Sequence, residues 1–135
     1  MARILVIDDD VLFVKLMCRS LELAGHSVDF ALDGKAGWNK FCKSTPDAVI
    51  CDIVMPEQEG LETIREMRFR DQNVAIIAIS GGLSRLGGGQ LDILGLVEKL
   101  GANATLKTPF QLSEMTRLVD RLLSIPHADV ATRRS

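Results

Sequence analysis

Asp8, Asp9 and Asp10 stand in a row directly after an apolar run, and Asp52 stands directly after another. Ser80 ends a third such run, and the pair Lys107-Thr108 closes a fourth. If these runs are strands of one parallel sheet, the polar residues share one edge of it, where ligand sites of such sheets form. Carboxylates from two neighbouring strand ends would then crowd together. Like charges in a small space raise one another's pKa and cost stability unless a cation neutralises them. Hard oxygen donors at an open site suit Mg2+, which keeps several waters and shares a substrate phosphate. A carboxylate beside such an ion can act as a nucleophile toward a phosphoryl group. The acyl phosphate so formed adds more than one negative charge, which a nearby hydroxyl and cation can report by moving. Ser80 and Lys107 are the candidates for those two roles.

Each piece has a plainer explanation on its own. Asp9 or Asp10 would simply cap the helix that follows, because helix N-termini favour acids. Asp52 would start a helix or turn, since Met55-Pro56 comes next. Ser80 would be a turn residue before Gly81-Gly82, and Lys107 a solvated charge at a strand end. The coincidence of acids at two strand ends is what favours a site.

Positioning these residues requires strands and helices in alternation. Continuous apolar runs at 4–7, 48–51 and 74–79 suit strands buried on both faces. Residues 27–31 read as a further strand in partial alternation, and 105–107 as a short fifth one. Helical spacing predicts a helix over 11–24, with Phe13, Leu16, Met17 and Ala24 toward a core and Gly25 ending it. Asp33-Gly34 turns the chain into a helix over 35–43, packed through Trp38, Phe41 and Cys42. Leu61, Ile64 and Met67 pack a helix over 60–70. Glycines at 81, 82 and 87–89 loosen the next stretch, and a helix firms up over about 90–100 before Gly101. Leu112, Met115, Leu118, Val119 and Leu122 mark the last helix by their spacing.

Five strand-then-helix units demand an α/β fold, a five-stranded parallel sheet with helices on both faces. In the flavodoxin-like strand order 2-1-3-4-5 the first and third strands are neighbours, which brings Asp8, Asp9 and Asp52 together. The domain is expected over 2–124, with 125–135 a polar tail.

Composition narrows the function classes. The 135 residues suit one compact domain, 47% hydrophobic and 25% charged. A net charge of -2 gives no reason to expect nucleic acid as a partner. Cys18, Cys42 and Cys51 are odd in number and form no CxxC pair, so buried reduced thiols are expected rather than a disulfide or zinc site. The N-terminus lacks a signal-peptide pattern, and no apolar run approaches a membrane span, so the expected location is cytoplasmic.

Ile4 through Asp10, Asp52-Ile53-Val54-Met55-Pro56 with Gly60, Ser80-Gly81, and Gly101-Ala102 leading to Pro109-Phe110 together resemble the receiver domain of two-component response regulators, the CheY-like superfamily. The resemblance implies that Asp52 is the phosphoacceptor. It implies that Asp8 and Asp9 organise Mg2+, with Asp9 the direct ligand, Asp52 beside it and the Val54 backbone carbonyl as a further ligand. Ser80 matches the switch hydroxyl. A histidine kinase or phosphotransfer protein would be the donor, and an output protein would read the fourth and fifth helices with the fifth strand. The partner expected is protein rather than membrane, for a chain that is a monomer or weak dimer, stand-alone or cut from a larger regulator.

The sequence departs from the family at three places. An ungapped match from Gly101 to Phe110 puts Thr108 where the family has its lysine, with Lys107 one place early. Side chains alternate along a strand, so a one-residue slip turns the amine to the other face unless a bulge restores it. The expectation is that this contact is lost or weakened. The family's aromatic switch position falls on Thr105, and the chain has no tyrosine. The glycines over 81–89 are the third departure. Two rivals follow: a pseudo-receiver that scaffolds partners without phosphorylation, and a haloacid dehalogenase-like phosphatase with Asp8 as nucleophile. The second lacks a later acidic pair to complete its metal site.

Overall fold

The computed structural model describes residues 2–53, 59–80 and 99–125. In chain order they form β1 (Arg3–Ile7), α1 (Val11–Leu23), β2 (Ser27–Ala31), α2 (Gly34–Lys43), β3 (Ala48–Asp52), α3 (Glu59–Arg70), β4 (Ala75–Ile79), β5 (Ala104–Leu106) and a C-terminal helix (Leu112–Leu123). All strand pairs are parallel, in the order β2-β1-β3-β4-β5. This is the doubly wound arrangement expected.

The continuous apolar runs are strands covered on both sides, and the clusters show why. Leu5 and Ile7 of β1, Val49 and Cys51 of β3, and Ile76 and Ala78 of β4 face one way, onto Phe41 of α2 and Ile64 and Met67 of α3. Ile4 and Val6, Ala48 and Ile50, and Ile77 and Ile79 face the other way, onto Met17 and Leu21 of α1 and Met115 and Val119 of the C-terminal helix. The period of two in a strand sorts neighbouring residues into two separate cores. Each fully buried aliphatic side chain contributes about 1.5–3 kcal/mol relative to exposure.

Local chemistry sets the helix ends. The Phe13 N–H donates to the Asp10 side chain at 3.1 Å, and the Ala36 N–H to the Asp33 side chain at 2.7 Å. Gly25 follows α1 at φ 99°, a left-handed conformation that glycine adopts without strain. Arg68 ties α3 to the approach of β5. Its Nε donates to the Gly101 carbonyl at 2.9 Å and its guanidinium to Asn103 Oδ1 at 2.7 Å, and that same oxygen accepts from the Ile76 N–H at 2.8 Å.

Several boundaries differ from expectation. Helix α1 stops at Leu23, and Leu16 and Ala24 are exposed, so Val14, Met17 and Leu21 form its buried face. Strand β5 runs Ala104–Leu106 rather than 105–107, because pairing with β4 ends at Ile79↔Leu106. Lys107 therefore lies beyond the ladder. Of the cysteines, Cys51 is buried while Cys18 and Cys42 are half-buried. The glycines at 81, 82 and 87–89, most of the helix expected over 90–100 and the tail beyond residue 125 lie outside the described residues.

Candidate functional site at the carboxyl edge of the sheet

Parallel pairing of β1 with β3 sets Ile7 opposite Cys51, and pairing of β3 with β4 sets Asp52 opposite Ile79. The next residue on each central strand is then polar: Asp8 after β1, Asp52 closing β3, Ser80 after β4. Asp8, Asp9 and Asp52 each present a carboxylate oxygen, all within 4.8 Å of one another. Cap and cluster divide the acids between them. Asp10 is the N-cap of α1, which leaves Asp8 and Asp9 to face Asp52.

The three differ in surroundings. Asp8 is 3% exposed, Asp52 half-buried and Asp9 exposed. The Asp8 pKa is raised to about 7: burial is the largest cause, the Asp10 N–H at 2.9 Å works against it, and the charges of Asp52, Asp9 and Asp10 add to it. Like-charge crowding is thus real, but loss of water is the larger cause. Three hard oxygen donors in this compass fit a small divalent cation such as Mg2+. The Val54 carbonyl lies outside the described residues.

Ser80 is buried at 5% exposure, and its Oγ donates to the Leu106 carbonyl at 3.4 Å. The Ser80 N–H donates to the same carbonyl at 3.0 Å. Lys107 is exposed and makes no ion pair with another described residue, while Thr108 is half-buried. Thr105, on β5, is half-buried. No described cation thus meets the acidic cluster.

Gly60, a motif glycine in the sequence, has a steric reason for its identity. A Cβ there would lie 2.1 Å from the Asp52 carbonyl oxygen and 2.6 Å from the Ile53 Cα. The first turn of α3 therefore rests directly on the backbone that carries Asp52. The Leu106 carbonyl was not visible as a site group beforehand. Only the adjacency of β4 and β5 could have pointed to it, since any residue type supplies a carbonyl.

Comparison with known proteins agrees with this fold. The family model for the response regulator receiver domain matches residues 4–120. Response regulator MprA of Mycolicibacterium vanbaalenii is 35% identical over 124 residues, 90% of this chain and 50% of that protein. MprA of Mycobacterium avium (strain 104) is 34% identical over the same shares. The chain thus spans about half the length of these curated relatives. Among solved structures, a response regulator receiver domain protein from Clostridium thermocellum superposes with a TM-score of 0.80 at 28% identity, covering 91% of this chain and 94% of that one. The receiver domain of NtrX from Brucella abortus gives a TM-score of 0.80 at 23% identity over 91% and 99%, a likeness of fold.

Proposed function

The chain belongs to the response regulator receiver domain family of two-component signalling, and from that premise we propose that it accepts a phosphoryl group on Asp52 and signals through altered binding to a protein partner. The observation that supports this most is the meeting of the Asp8, Asp9 and Asp52 carboxylates within 4.8 Å, at adjacent strand ends with Ser80 one strand away.

A carboxylate oxygen of Asp52 attacks the phosphorus of a phosphohistidine donor. The new O–P bond replaces the N–P bond, and the donor imidazole leaves with the electron pair and takes a proton. Asp8, Asp9 and Asp52 would hold Mg2+, which when bound offsets charge on the transferring oxygens. Burial of Asp8 against β1 keeps its carboxylate fixed, and the Asp10 N–H at 2.9 Å orients it. The Ser80 hydroxyl turns from Leu106 toward the phosphorylated side chain, and that movement biases the protein toward a state with different partner affinity.

The donor in this proposal is a histidine kinase or a phosphotransfer protein, and the downstream reader is a protein. Receiver domains are signalling domains, so the only chemistry proposed is the chain's own phosphorylation and dephosphorylation. Residues 2–124 form the signalling unit, with 125–135 as a tail, and the location proposed is cytoplasmic. No helix of the described residues is long and apolar enough to cross a membrane.

The exposure of Lys107 favours one second function, a phosphorylation-independent scaffold. Incubation with Mg2+ and acetyl phosphate separates the two. The expected result is a mass gain of one phosphoryl group that Asp52→Asn abolishes. No gain, or a gain that survives that substitution, rejects phosphorylation at Asp52.

A further inference from the structure

Helices α2 and α3 cover the same face of the sheet, and their outer sides meet in a groove of about 520 Å3 lined by Trp38, Arg65, Glu66, Phe69 and Arg70. A second depression of about 260 Å3 shares Trp38 and Glu66 and adds Lys35 and Glu62. Phe69 is 88% exposed, the highest value for any large hydrophobic side chain described. One exposed ring alone is ordinary on a protein surface, but this one borders a groove that also holds the Trp38 indole. Trp38 offers a fixed wall, because its ring stacks on buried Phe41 with centroids 5.8 Å apart and planes 11° from parallel. The surface thus carries both a projecting ring and a receptacle beside a rigid indole.

The charges on α3 follow the same logic. Glu62, Glu66 and Arg70 recur four residues apart and so lie along one side of the helix, with Phe69 beside the last of them. The stripe is acidic toward its N-terminal end and basic toward its C-terminal end. An antiparallel copy of the same stripe, centred between Glu66 and Arg70, sets each Glu66 against the other copy's Arg70. A two-fold axis there brings both Glu66–Arg70 pairs together at once, which is what an isologous interface requires.

We propose that this face is a self-association surface: two copies of the chain pair antiparallel along α3, each seating its Phe69 against the other's Trp38. A purely acidic partner would satisfy Arg65 and Arg70 but would face Glu62 and Glu66 with like charge, so a second copy fits the pattern better. A patch built on three turns of one helix lies at or below the low end of the ~1,200 Å2 that specific interfaces bury. The association is accordingly at the weak, transient end of protein–protein contacts.

Trp38 is the chain's only tryptophan, so the indole emission comes from this groove alone. Fluorescence and sedimentation equilibrium of the whole chain should show a concentration-dependent blue shift that tracks a monomer–dimer equilibrium. Phe69→Ser, at an exposed position, should keep the far-UV spectrum and weaken the dimer at least tenfold. Glu66→Arg and Arg70→Glu should each weaken it, and the two together should restore it. A chain that stays monomeric through about 1 mM, the weak end of the affinity scale, overturns the proposal. So does a dimer indifferent to Phe69→Ser, or a double charge reversal that fails to recover association.

Discussion

The Leu106 carbonyl accepts two hydrogen bonds from Ser80, one from the backbone N–H at 3.0 Å and one from the side-chain Oγ at 3.4 Å. The backbone bond is the shorter, and it keeps the acceptor satisfied when the hydroxyl swings away. A hydroxyl that can leave without orphaning a buried acceptor is cheap to move, since the main penalty in hydrogen-bond rearrangement is the group left unpaired. Ser80→Ala should therefore cost no more than about 1 kcal/mol in urea unfolding. The variant should still take up a phosphoryl group from acetyl phosphate. Its β5 amide resonances should shift less on phosphorylation than those of the unaltered chain. Shifts of undiminished size would remove Ser80 from the switch.

The lysine position makes a separate prediction. Strand β5 ends at Leu106, so Lys107 is already past the ladder and exposed, and Thr108 is half-buried beside it. An exposed ammonium contributes little to a site it does not touch. Lys107→Ala should leave the rate of phosphoryl uptake within about twofold, the effect expected for removing a screened surface charge. Thr108→Lys should restore a cation near the phosphorylated side chain and change the lifetime of the acyl phosphate. Mass spectrometry over time reads both. A tenfold loss on Lys107→Ala would show that the ammonium reaches the site after all.

The legible parts of the molecule were those that a period or a run encodes. Ile4 to Ile7 and Ala48 to Cys51 are apolar without interruption because both faces are covered, and the acid after each run marks the sheet edge. The parallel sheet followed from the crossovers, and the flavodoxin-like strand order, which the fold has, brought Asp8, Asp9 and Asp52 together. What ran past the sequence was decided by tertiary contact. Leu16 looked like a core residue by helical spacing but is exposed, because the buried stripe of α1 runs through Val14, Met17 and Leu21. The end of β5 depends on where β4 stops pairing, which no local pattern in Thr105 to Thr108 records. The division between capping Asp10 and site residues Asp8 and Asp9 likewise needed the backbone direction at the end of β1.

Gly60 shows how closely the site is joined to α3. The space for its Cβ is taken by the Asp52 carbonyl and the Ile53 backbone, neither of which can move aside like a flexible side chain. Gly60→Ala should therefore push the first turn of α3 off β3 and cost about 1–3 kcal/mol, the usual range for forced overpacking. It should also slow phosphorylation of Asp52 by shifting its backbone. Urea midpoints and acetyl phosphate uptake measure the two effects. An unchanged midpoint would mean that α3 does not bear on the Asp52 strand end as described.

The acidic cluster gives the protein a pH dependence opposite in sign to that of a salt-bridged carboxylate. Burial, with the neighbouring acids, raises the Asp8 pKa from 3.8 to about 7. Stability changes with pH in proportion to protons bound by the unfolded chain minus those bound by the folded one. Between these two values folded Asp8 holds a proton that the unfolded chain has already released. The contribution is full below 3.8 and is lost as pH rises toward about 7, a decline of a few kcal/mol at most in metal-free buffer. A divalent cation held by these carboxylates would take the place of that proton, so Mg2+ should stabilise more at pH 8 than at pH 5, with proton release on binding. Asp8→Asn keeps an acceptor for the Asp10 N–H, removes the titration, and should raise metal-free stability at pH 8 while weakening Mg2+ stabilisation. Thermal melts with and without Mg2+ across pH 5 to 8 read all of these. Metal-free stability that rises steadily toward pH 8, with no gain in Asp8→Asn, would show that Asp8 is not held protonated by its burial.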